Sequence, residues 1–296
     1  MSLKMKFVRF MVKKMSGGMF SSGSIDAPKL RAILQKAYDG HKVEKGVTVT
    51  LDTYEGVEVA IFAPDVLKSN HIIYYLHGGG LITGNRLTAG PYSSQLALET
   101  GCRVVACSYR LAPEDPFPAG VDDSYNVYKH LLNKYPSSKI SLIGESGGAY
   151  LSLVIAIKAR DEKIQLPSSV VINSVVADIS EKIKRADTSE EITVSVAGLK
   201  QLAKMYAPDM DLTSPYISPI YASFEGLPPL KIIYDKGEVL AIDSKEVAKK
   251  AKAAGIKVTV TEYNGCFHAF ATTGKDTPES KNELIASSKF MMDSFI

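Results

Sequence analysis

Short apolar, β-branched runs alternate along the chain with longer stretches of helical periodicity, and this alternation limits the possible folds more than any other feature. Several of the runs are continuously apolar, as expected of strands buried on both faces. The alternation predicts an α/β fold, in which helices flank one mostly parallel sheet of about eight strands. The predicted strands are residues 48–54, 57–63, 71–76, 103–109, 139–144, 170–176, 230–235 and 257–263. The predicted helices are about 90–100, 121–134, 147–160, 190–206, 243–254 and 278–294.

The two ends of this series have their own signatures. Gly56 lies in the turn between the first two strands, which predicts an antiparallel hairpin. Thr277 and Pro278 predict the start of the last helix, with threonine as N-cap and proline at the first helical position. The last strand, 257–263, is expected at a sheet edge, where it could pair with a second copy to form a homodimer.

The N-terminal residues form an amphipathic helical pattern ahead of the first strand. Phe7, Met11 and Met15 recur at four-residue spacing with lysines on the other side. We expect this face to dock on the protein itself rather than on a membrane surface. A second pattern follows and is closed by Asp39-Gly40.

Charge and hydropathy exclude several classes of protein. Lys+Arg 35 against Asp+Glu 32 gives a formal charge of +3, which is too close to balance to indicate a nucleic-acid partner. No stretch reaches the roughly 20 apolar residues of a membrane span, so stable membrane insertion is not expected. The lysine-rich N-terminus lacks the apolar core of a signal peptide.

The three cysteines indicate a reduced, cytoplasmic protein. Cys102 and Cys107 lie five residues apart in one predicted strand, so they face opposite sides and cannot bridge each other. Reduced thiols are typical of the cytoplasm. The chain contains no Cys-x-x-Cys and no His-x-x-x-His, so no metal site is predicted.

Residues 144–148, Gly-Glu-Ser-Gly-Gly, place a serine between glycines at a predicted strand-to-helix junction. A strand, a sharp turn and a helix form a nucleophile elbow, in which a strained turn exposes the serine hydroxyl. The N–H groups at the start of the following helix also favour negative charge. We therefore expect Ser146 to be a nucleophile.

Residues 77–80, His-Gly-Gly-Gly, directly follow the third predicted strand. Consecutive glycines let backbone N–H groups point into a cleft without obstruction by side chains. Such donors stabilise a tetrahedral oxyanion, each by roughly 3–4 kcal/mol in the transition state. A phosphate loop is the weaker interpretation, because no Gly-Lys-Ser/Thr follows.

His268 follows the last predicted strand, in a loop that can reach a nucleophile at the same sheet edge. The order serine, acid, histidine along the chain matches the α/β-hydrolase arrangement, so His268 is the predicted general base.

Spacing alone leaves the acid open. Asp235 and Glu238 both follow the seventh predicted strand, and Asp178 is a more distant candidate. Asp243 with Glu246 resembles a helix-capping pair, which gives Asp243 a sufficient structural role.

Together these residues resemble the hormone-sensitive-lipase family of α/β-hydrolases, the bacterial family of small carboxylesterases. The resemblance covers about 72–180 and 226–270. Four motifs carry it. Residues 77–80 are similar to the family's HGGG, and residues 144–148 are similar to its GDSAGG elbow. Residues 108–114, continued by 117–119 and Asp122, are similar to its DYRLAPE stretch, and residues 265–270 are similar to its G-x-x-H-x-F.

The resemblance implies an α/β-hydrolase fold with a helical cap and hydrolysis of a small-molecule carboxylic ester through a triad. A subset of the family carries E-V-L about thirty residues before the histidine, and Glu238-Val239-Leu240 lies there. The resemblance therefore makes Glu238 the triad acid beside Ser146 and His268, with Asp235 as the alternative. No cofactor or metal is implied.

The resemblance also implies an oxyanion hole at Gly78, Gly79, Gly80 and Gly147. Within this set the N–H groups of Gly79, Gly80 and Gly147 are the expected donors, and Gly78 shapes the loop.

Some positions depart from the family pattern. Ser108 replaces an aspartate and is expected to lose a polar anchor, and Glu145 replaces the aspartate of the elbow. Tyr150 is expected to narrow or repack the pocket, and Leu81 stands where an aromatic residue often follows HGGG.

Two segments outside the alternation resemble the family's lid. Residues 1–45 are the expected N-terminal cap segment and 181–213 the cap insertion, while 46–180 and 214–296 form the catalytic domain. The short insertion predicts that the substrate carries a short acyl group.

An amidase or peptidase with the same triad is one alternative to the esterase function. A ligand receptor of this fold is another, although such relatives lose the histidine that is present here as His268.

Overall fold

The described part of the chain, in a computed structural model, comprises residues 1–16, 25–38, 43–135 and 140–295. These residues form an eight-stranded sheet flanked by helices, which confirms the α/β prediction. The strands are β1 Val47–Tyr54, β2 Val57–Pro64, β3 Ile72–Leu76, β4 Arg103–Cys107, β5 Ile140–Glu145, β6 Ser169–Asn173, β7 Leu230–Asp235 and β8 Val258–Tyr263. The helices are α1 Leu3–Ser16, α2 Ala27–Tyr38, α3 Gly90–Thr100, α4 Ala119–Lys134, α5 Gly147–Asp161, α6 Val196–Tyr206, α7 Ala241–Ala253 and α8 Pro278–Asp293.

The sheet order is β1-β2-β4-β3-β5-β6-β7-β8. The β1–β2 and β2–β4 pairs are antiparallel, and every later pair is parallel. The carboxyl ends of the parallel strands therefore meet at one edge, where ligands bind in open α/β sheets. As predicted, β8 is the last strand of the sheet.

Alternate side chains of the central strands enter two separate cores. Ile72, Tyr74 and Leu76 of β3 pack in the core that contains residues of α4, α5 and α7. Ile73 and Tyr75 pack in the core that contains residues of α3 and α8. Because both faces are covered, the strand has no polar face, which explains its continuous apolar sequence.

Two strands end earlier than predicted because the chain turns toward the site. β6 ends at Asn173, and Ser174 adopts a φ of +54° that extended backbone does not allow. β4 ends at Cys107, after which Ser108 receives a hydrogen bond from the N–H of Arg86 at 3.1 Å. The expected loss of an anchor at Ser108 is therefore wrong, since its hydroxyl holds the loop that follows β3.

The helix starts show how tertiary contacts compete with local signals. Thr277 caps α8 in a reciprocal pair with Ser280, as its sequence predicts. Asp243 does not cap α7, which begins at Ala241 after Leu240. Its carboxylate instead accepts the N–H groups of Ala177 and Asp178, at 2.9 and 3.1 Å.

Helix α1 docks on the protein, but through a different face from the predicted one. Met5 is fully buried and Val8 packs beside it. Phe7 is 64% exposed and Met11 38% exposed, so the predicted apolar face points outward. Arg9 lies on the docked face, where its guanidinium donates to the Cys266 carbonyl. The side chain of Met15 and the turn at Asp39-Gly40 lie outside the described residues.

The insertion is less helical than expected. Helix α6 starts at Val196 rather than near 190, and the Ser195 side chain accepts the N–H of Gly198 at 3.0 Å as its cap. Residues 180–195 are irregular, apart from an isolated bridge at Val194. Among the described residues, no helix has the length and apolar character needed to cross a membrane.

Candidate active site

Ser146 lies in the sharp turn between β5 and α5. Its φ of +52° and ψ of −118° are strained for a residue with a side chain. A Cβ at Gly144 would collide with the Gly148 carbonyl, and one at Gly148 would collide with the Leu76 carbonyl. The turn therefore requires glycine at both positions, which explains the local sequence around the serine.

His268 and Glu238 form a buried pair at the same sheet edge. His268 Nδ1 lies 3.2 Å from Glu238 Oε2. Burial acts to lower the pKa of His268, but the hydrogen bond and charge of Glu238, with the charges of Glu191 and Glu145, outweigh it and raise the pKa. The carboxylate thus favours a protonated imidazole, as a general base requires during proton transfer.

Two adjacent residues at the end of β6 contact the serine turn and the histidine loop. The Ser146 N–H donates to the Asn173 carbonyl at 2.9 Å. The next residue, Ser174, accepts the N–H of Ala269 through its hydroxyl, also at 2.9 Å. Adjacent residues therefore hold the nucleophile turn on one side and the histidine loop on the other.

The other acidic candidates do not contact the imidazole. Asp235 Oδ1 accepts the Gly237 N–H at 2.9 Å, and its Oδ2 accepts the Cys266 N–H at 2.7 Å. Asp235 thus braces the loops that carry Glu238 and His268. The Asp178 carboxylate accepts the N–H groups of Ser180 and Ile183 within its own segment.

The glycine loop after β3 is hydrogen-bonded to the elbow. The Gly78 N–H donates to Glu145 Oε1 at 2.6 Å, so it is not free for an oxyanion and Gly78 leaves the set of candidate donors. This contact fits its expected role in shaping the loop. Gly79 and Gly80, with φ of +112° and +64°, remain with Gly147 as candidates. Burial raises the pKa of Glu145 to about 7.

His77 supports this loop as a neutral side chain. Burial lowers its pKa to about 4. Its ring stacks on Tyr109 with centroids 4.3 Å apart, and the Tyr109 hydroxyl donates to the His77 carbonyl at 2.8 Å. Tyr109 therefore serves to fix the glycine loop. Arg110 of the same stretch pairs with Asp123 at 2.8 Å.

A cavity of about 40 Å³ adjoins Gly80 and Gly147. Tyr206 of α6 forms part of its wall, and Tyr150 holds that ring through a 2.8 Å hydrogen bond between the two hydroxyls. Tyr150 thus shapes the pocket indirectly, by fixing Tyr206. The remaining lining residues are Leu81, Val176, Asp178, Ile179, Glu181, Arg185, Leu199, Leu202 and Ala203.

Both N-terminal helices bond to loops of this site. Arg31 of α2 donates to the carbonyls of Ile82 at 2.6 Å and Ala112 at 2.8 Å. Arg9 of α1 donates to the Cys266 carbonyl, two residues before His268, and to Glu190 in the insertion.

The sequence interpretation missed several residues of the insertion that meet the site. Arg185 forms a buried ion pair with Asp243 at 2.6 Å, and Thr188 and Glu191 contact the loop that carries Glu238. No motif marks them, because their roles arise from packing against a loop about fifty residues away. Within the described ranges, no three His, Cys, Asp or Glu side chains are grouped as metal ligands.

Comparisons with known proteins agree with this geometry. Residues 73–272 match the family described as the alpha/beta hydrolase fold. An acetyl-hydrolase of Streptomyces hygroscopicus is 31% identical over 260 residues, which cover 87% of this chain and 86% of the relative.

Solved structures agree as well. An esterase from the bacterial hormone-sensitive lipase family superposes with a TM-score of 0.91 at 25% identity, covering 100% of this chain and 99% of the other. EstE5, in a crystal soaked by p-nitrophenyl butyrate, gives a TM-score of 0.90 at 26% identity, with 100% and 99% covered.

The fold and the elbow thus define an α/β-hydrolase. Within that class, the chain belongs to the hormone-sensitive-lipase family and is a serine carboxylic ester hydrolase.

Proposed function

We propose that hydrolysis proceeds through an acyl-enzyme formed on Ser146, with His268 as general base and Glu238 as triad acid. The observation that carries this proposal is the 3.2 Å contact between His268 Nδ1 and Glu238 Oε2 at the edge where the elbow lies. Ser146 attacks the ester carbonyl while His268 takes its proton and then passes it to the leaving alcohol. Glu238 fixes the ring orientation and balances the charge of the imidazolium.

Backbone N–H groups stabilise the tetrahedral oxyanion in this proposal. The candidates are those of Gly79, Gly80 and Gly147, because Gly78 donates to Glu145. Preorganised donors of this kind act where charge develops and cost no reorganisation during reaction. A water molecule, activated by His268, then attacks the acyl-enzyme and releases the carboxylic acid.

The pocket supports a preference for small acyl groups. The cavity of about 40 Å³ beside Gly80 and Gly147 is lined mostly by apolar side chains, which suits a short acyl chain such as acetyl or propionyl. Leu81 and Tyr206 form part of its wall, and Tyr206 is held by a buried hydrogen bond. The wall at Tyr206 therefore resists displacement by a longer chain.

A series of p-nitrophenyl esters of rising acyl length tests this function. We expect kcat/KM to peak at acetate to butyrate and to fall for octanoate and longer chains. Leu81→Ala, which enlarges the cavity, should move the optimum to longer chains. Faster hydrolysis of long-chain esters by the wild type would contradict the short-chain proposal. Inactivity of the folded protein on every ester would favour amide substrates or ligand binding without catalysis.

We also propose that residues 1–45 and 181–213 form a cap over the catalytic domain, 46–180 and 214–296. Support comes from Arg9 and Arg31, which bond to loops of the site from α1 and α2. The buried Arg185–Asp243 pair ties the insertion to α7 in the same way.

Deletion of residues 1–22 tests the N-terminal part of the cap. Removing α1 exposes the Cys266 carbonyl beside the histidine loop, so we expect the ratio of acetate to octanoate hydrolysis to fall. Arg9→Ala should change the ratio in the same direction but less. An unchanged acyl-length profile in both variants would leave α1 without a role in substrate selection.

Two further proposals concern the setting of the enzyme. The position of β8 at the end of the sheet supports a homodimer formed by edge pairing. The three cysteines are all buried and free, which supports a cytoplasmic location.

A further inference from the structure

Glu191, in the cap insertion, is a largely buried carboxylate surrounded by donors. Its Oε1 accepts the N–H groups of Ile192 and Thr193 and the Thr193 hydroxyl, each at 2.8 Å. The N–H of Val194 donates to the same oxygen at 3.2 Å. Such a set of donors stabilises the ionised form of a carboxylate. The contacts fix the direction of the side chain, and they leave Oε2 for a partner elsewhere in the fold.

That partner is the loop that carries Glu238. Glu191 Oε2 accepts the Val239 N–H at 3.1 Å, directly after Glu238. On the other side, the Thr188 hydroxyl donates to the Gly237 carbonyl at 2.6 Å. The insertion thus holds the backbone on both sides of Glu238 through two side chains three residues apart.

Glu191 also acts on the imidazole through its charge. Burial acts to raise the pKa of Glu191, but the charge of His268 and the hydrogen bonds from Thr193 and Val239 outweigh it and lower the pKa. Conversely, Glu191 helps to raise the pKa of His268. The carboxylates that face His268 electrostatically are Glu238 on the acid loop, Glu191 on the insertion and Glu145 on the elbow.

We propose that Glu191 is a positioning residue of the esterase, which holds the acid loop in place and stabilises the imidazolium of His268 with its negative charge. This inference rests on the triad proposed above. It makes the cap insertion part of the catalytic apparatus as well as a wall of the pocket. If the insertion moved away, His268 would lose a neighbouring negative charge. The loop around Glu238 would lose two hydrogen bonds.

Substitution of Glu191 by glutamine tests the charge while keeping an acceptor at the same position. The first readout is the His268 pKa, from NMR titration of its imidazole Cε1–H signal, assigned by its absence in His268→Asn. We expect that pKa to fall by about one pH unit in Glu191→Gln. Glu191→Asp keeps the charge, so it should leave the pKa near that of the wild type even if shortening weakens the hydrogen bonds.

Kinetics supply the second readout. Because His268 must be unprotonated to accept the serine proton, kcat/KM falls as the pH drops through the His268 pKa. In Glu191→Gln the acidic limb should move to lower pH, while kcat at the plateau falls about tenfold with KM little changed. Glu225→Gln is the matched control, because that exposed carboxylate lies outside the site and should leave the His268 pKa unchanged.

The outcomes separate this inference from the proposed function. An unchanged His268 pKa in a folded Glu191→Gln protein would overturn it, as would an equal loss of activity in Glu191→Asp and Glu191→Gln. Thermal unfolding of each variant identifies a protein that is merely destabilised. The titration needs no turnover, so it remains informative even if the triad assignment fails in the assays of Ser146 and Glu238 variants.

Discussion

Ser146→Ala is expected to hydrolyse p-nitrophenyl acetate roughly 10⁶-fold more slowly than the wild type, because the acyl group then has no oxygen to bond to. The residual rate would come from the oxyanion hole and substrate binding alone. Initial rates at saturating ester, with the spontaneous hydrolysis subtracted, measure the effect. The elbow geometry should persist, since alanine keeps the Cβ and the backbone N–H that bonds to Asn173.

Ser223→Ala provides the control for this experiment. Ser223 is an exposed serine outside the site, and its loss should leave the rate unchanged. Comparable circular dichroism and melting temperature for Ser146→Ala would show that the protein is still folded. Retention of more than a few per cent of the wild-type rate in Ser146→Ala would rule out this serine as the nucleophile.

The second large effect distinguishes the two acidic candidates. Glu238→Gln should lower kcat by roughly 10⁴, because an amide no longer balances the imidazolium and favours the wrong ring tautomer. Asp235→Asn should cost at most about 100-fold, since Asp235 acts by holding the Gly237 and Cys266 N–H groups and so positions the loops of Glu238 and His268. Steady-state rates of the two purified variants over a range of pH make the comparison.

Asp235→Asn also serves as the control for burying an amide in this region. Both carboxylates are nearly inaccessible, so each variant needs a melting curve before its rate is interpreted. A larger loss in Asp235→Asn than in Glu238→Gln would transfer the acid role to Asp235.

The sequence predicts the sheet well because its signal is local. Strands covered on both faces are mostly apolar, so β3 is visible as a continuous run. β7 is buried as well, and its Lys231 is accommodated by an ion pair with Glu283 at 2.8 Å. Their ends are less predictable, because contacts made across the fold determine them. Ser174 illustrates this, since its positive φ serves the hydrogen bond to Ala269 and follows from no local preference for a turn.

Helix faces and caps are predicted less well for the same reason. In α1 the apolar spacing of Phe7 and Met11 suggests the wrong face, because the docked face combines Met5 with the guanidinium of Arg9. At α7 the local capping signal of Asp243 yields to a buried ion pair with Arg185. The sequence pattern of a helix reflects that helix alone, whereas these contacts depend on what packs beside it.

Residues of the candidate site also differ in whether local sequence predicts them. Ser146 and the glycine loop lie in contiguous motifs, since a strained turn and its close glycines must be neighbours in sequence. The spacing of residues leaves Asp235 and Glu238 undecided, because Asp235 ends β7 and Glu238 lies three residues further on. Only the fold determines which side chain contacts the imidazole. Glu191 has no sequence signature, since its contact with the acid loop spans forty-eight residues.

Covalent labelling with a fluorophosphonate, followed by mass spectrometry of the intact protein and its peptides, tests directly whether Ser146 is the nucleophile. We expect one phosphonyl group per chain, attached to Ser146, with loss of esterase activity in proportion to labelling. Ser146→Ala should take up none. A stoichiometric adduct on another residue, or full labelling of Ser146→Ala, would show that Ser146 is not the nucleophile.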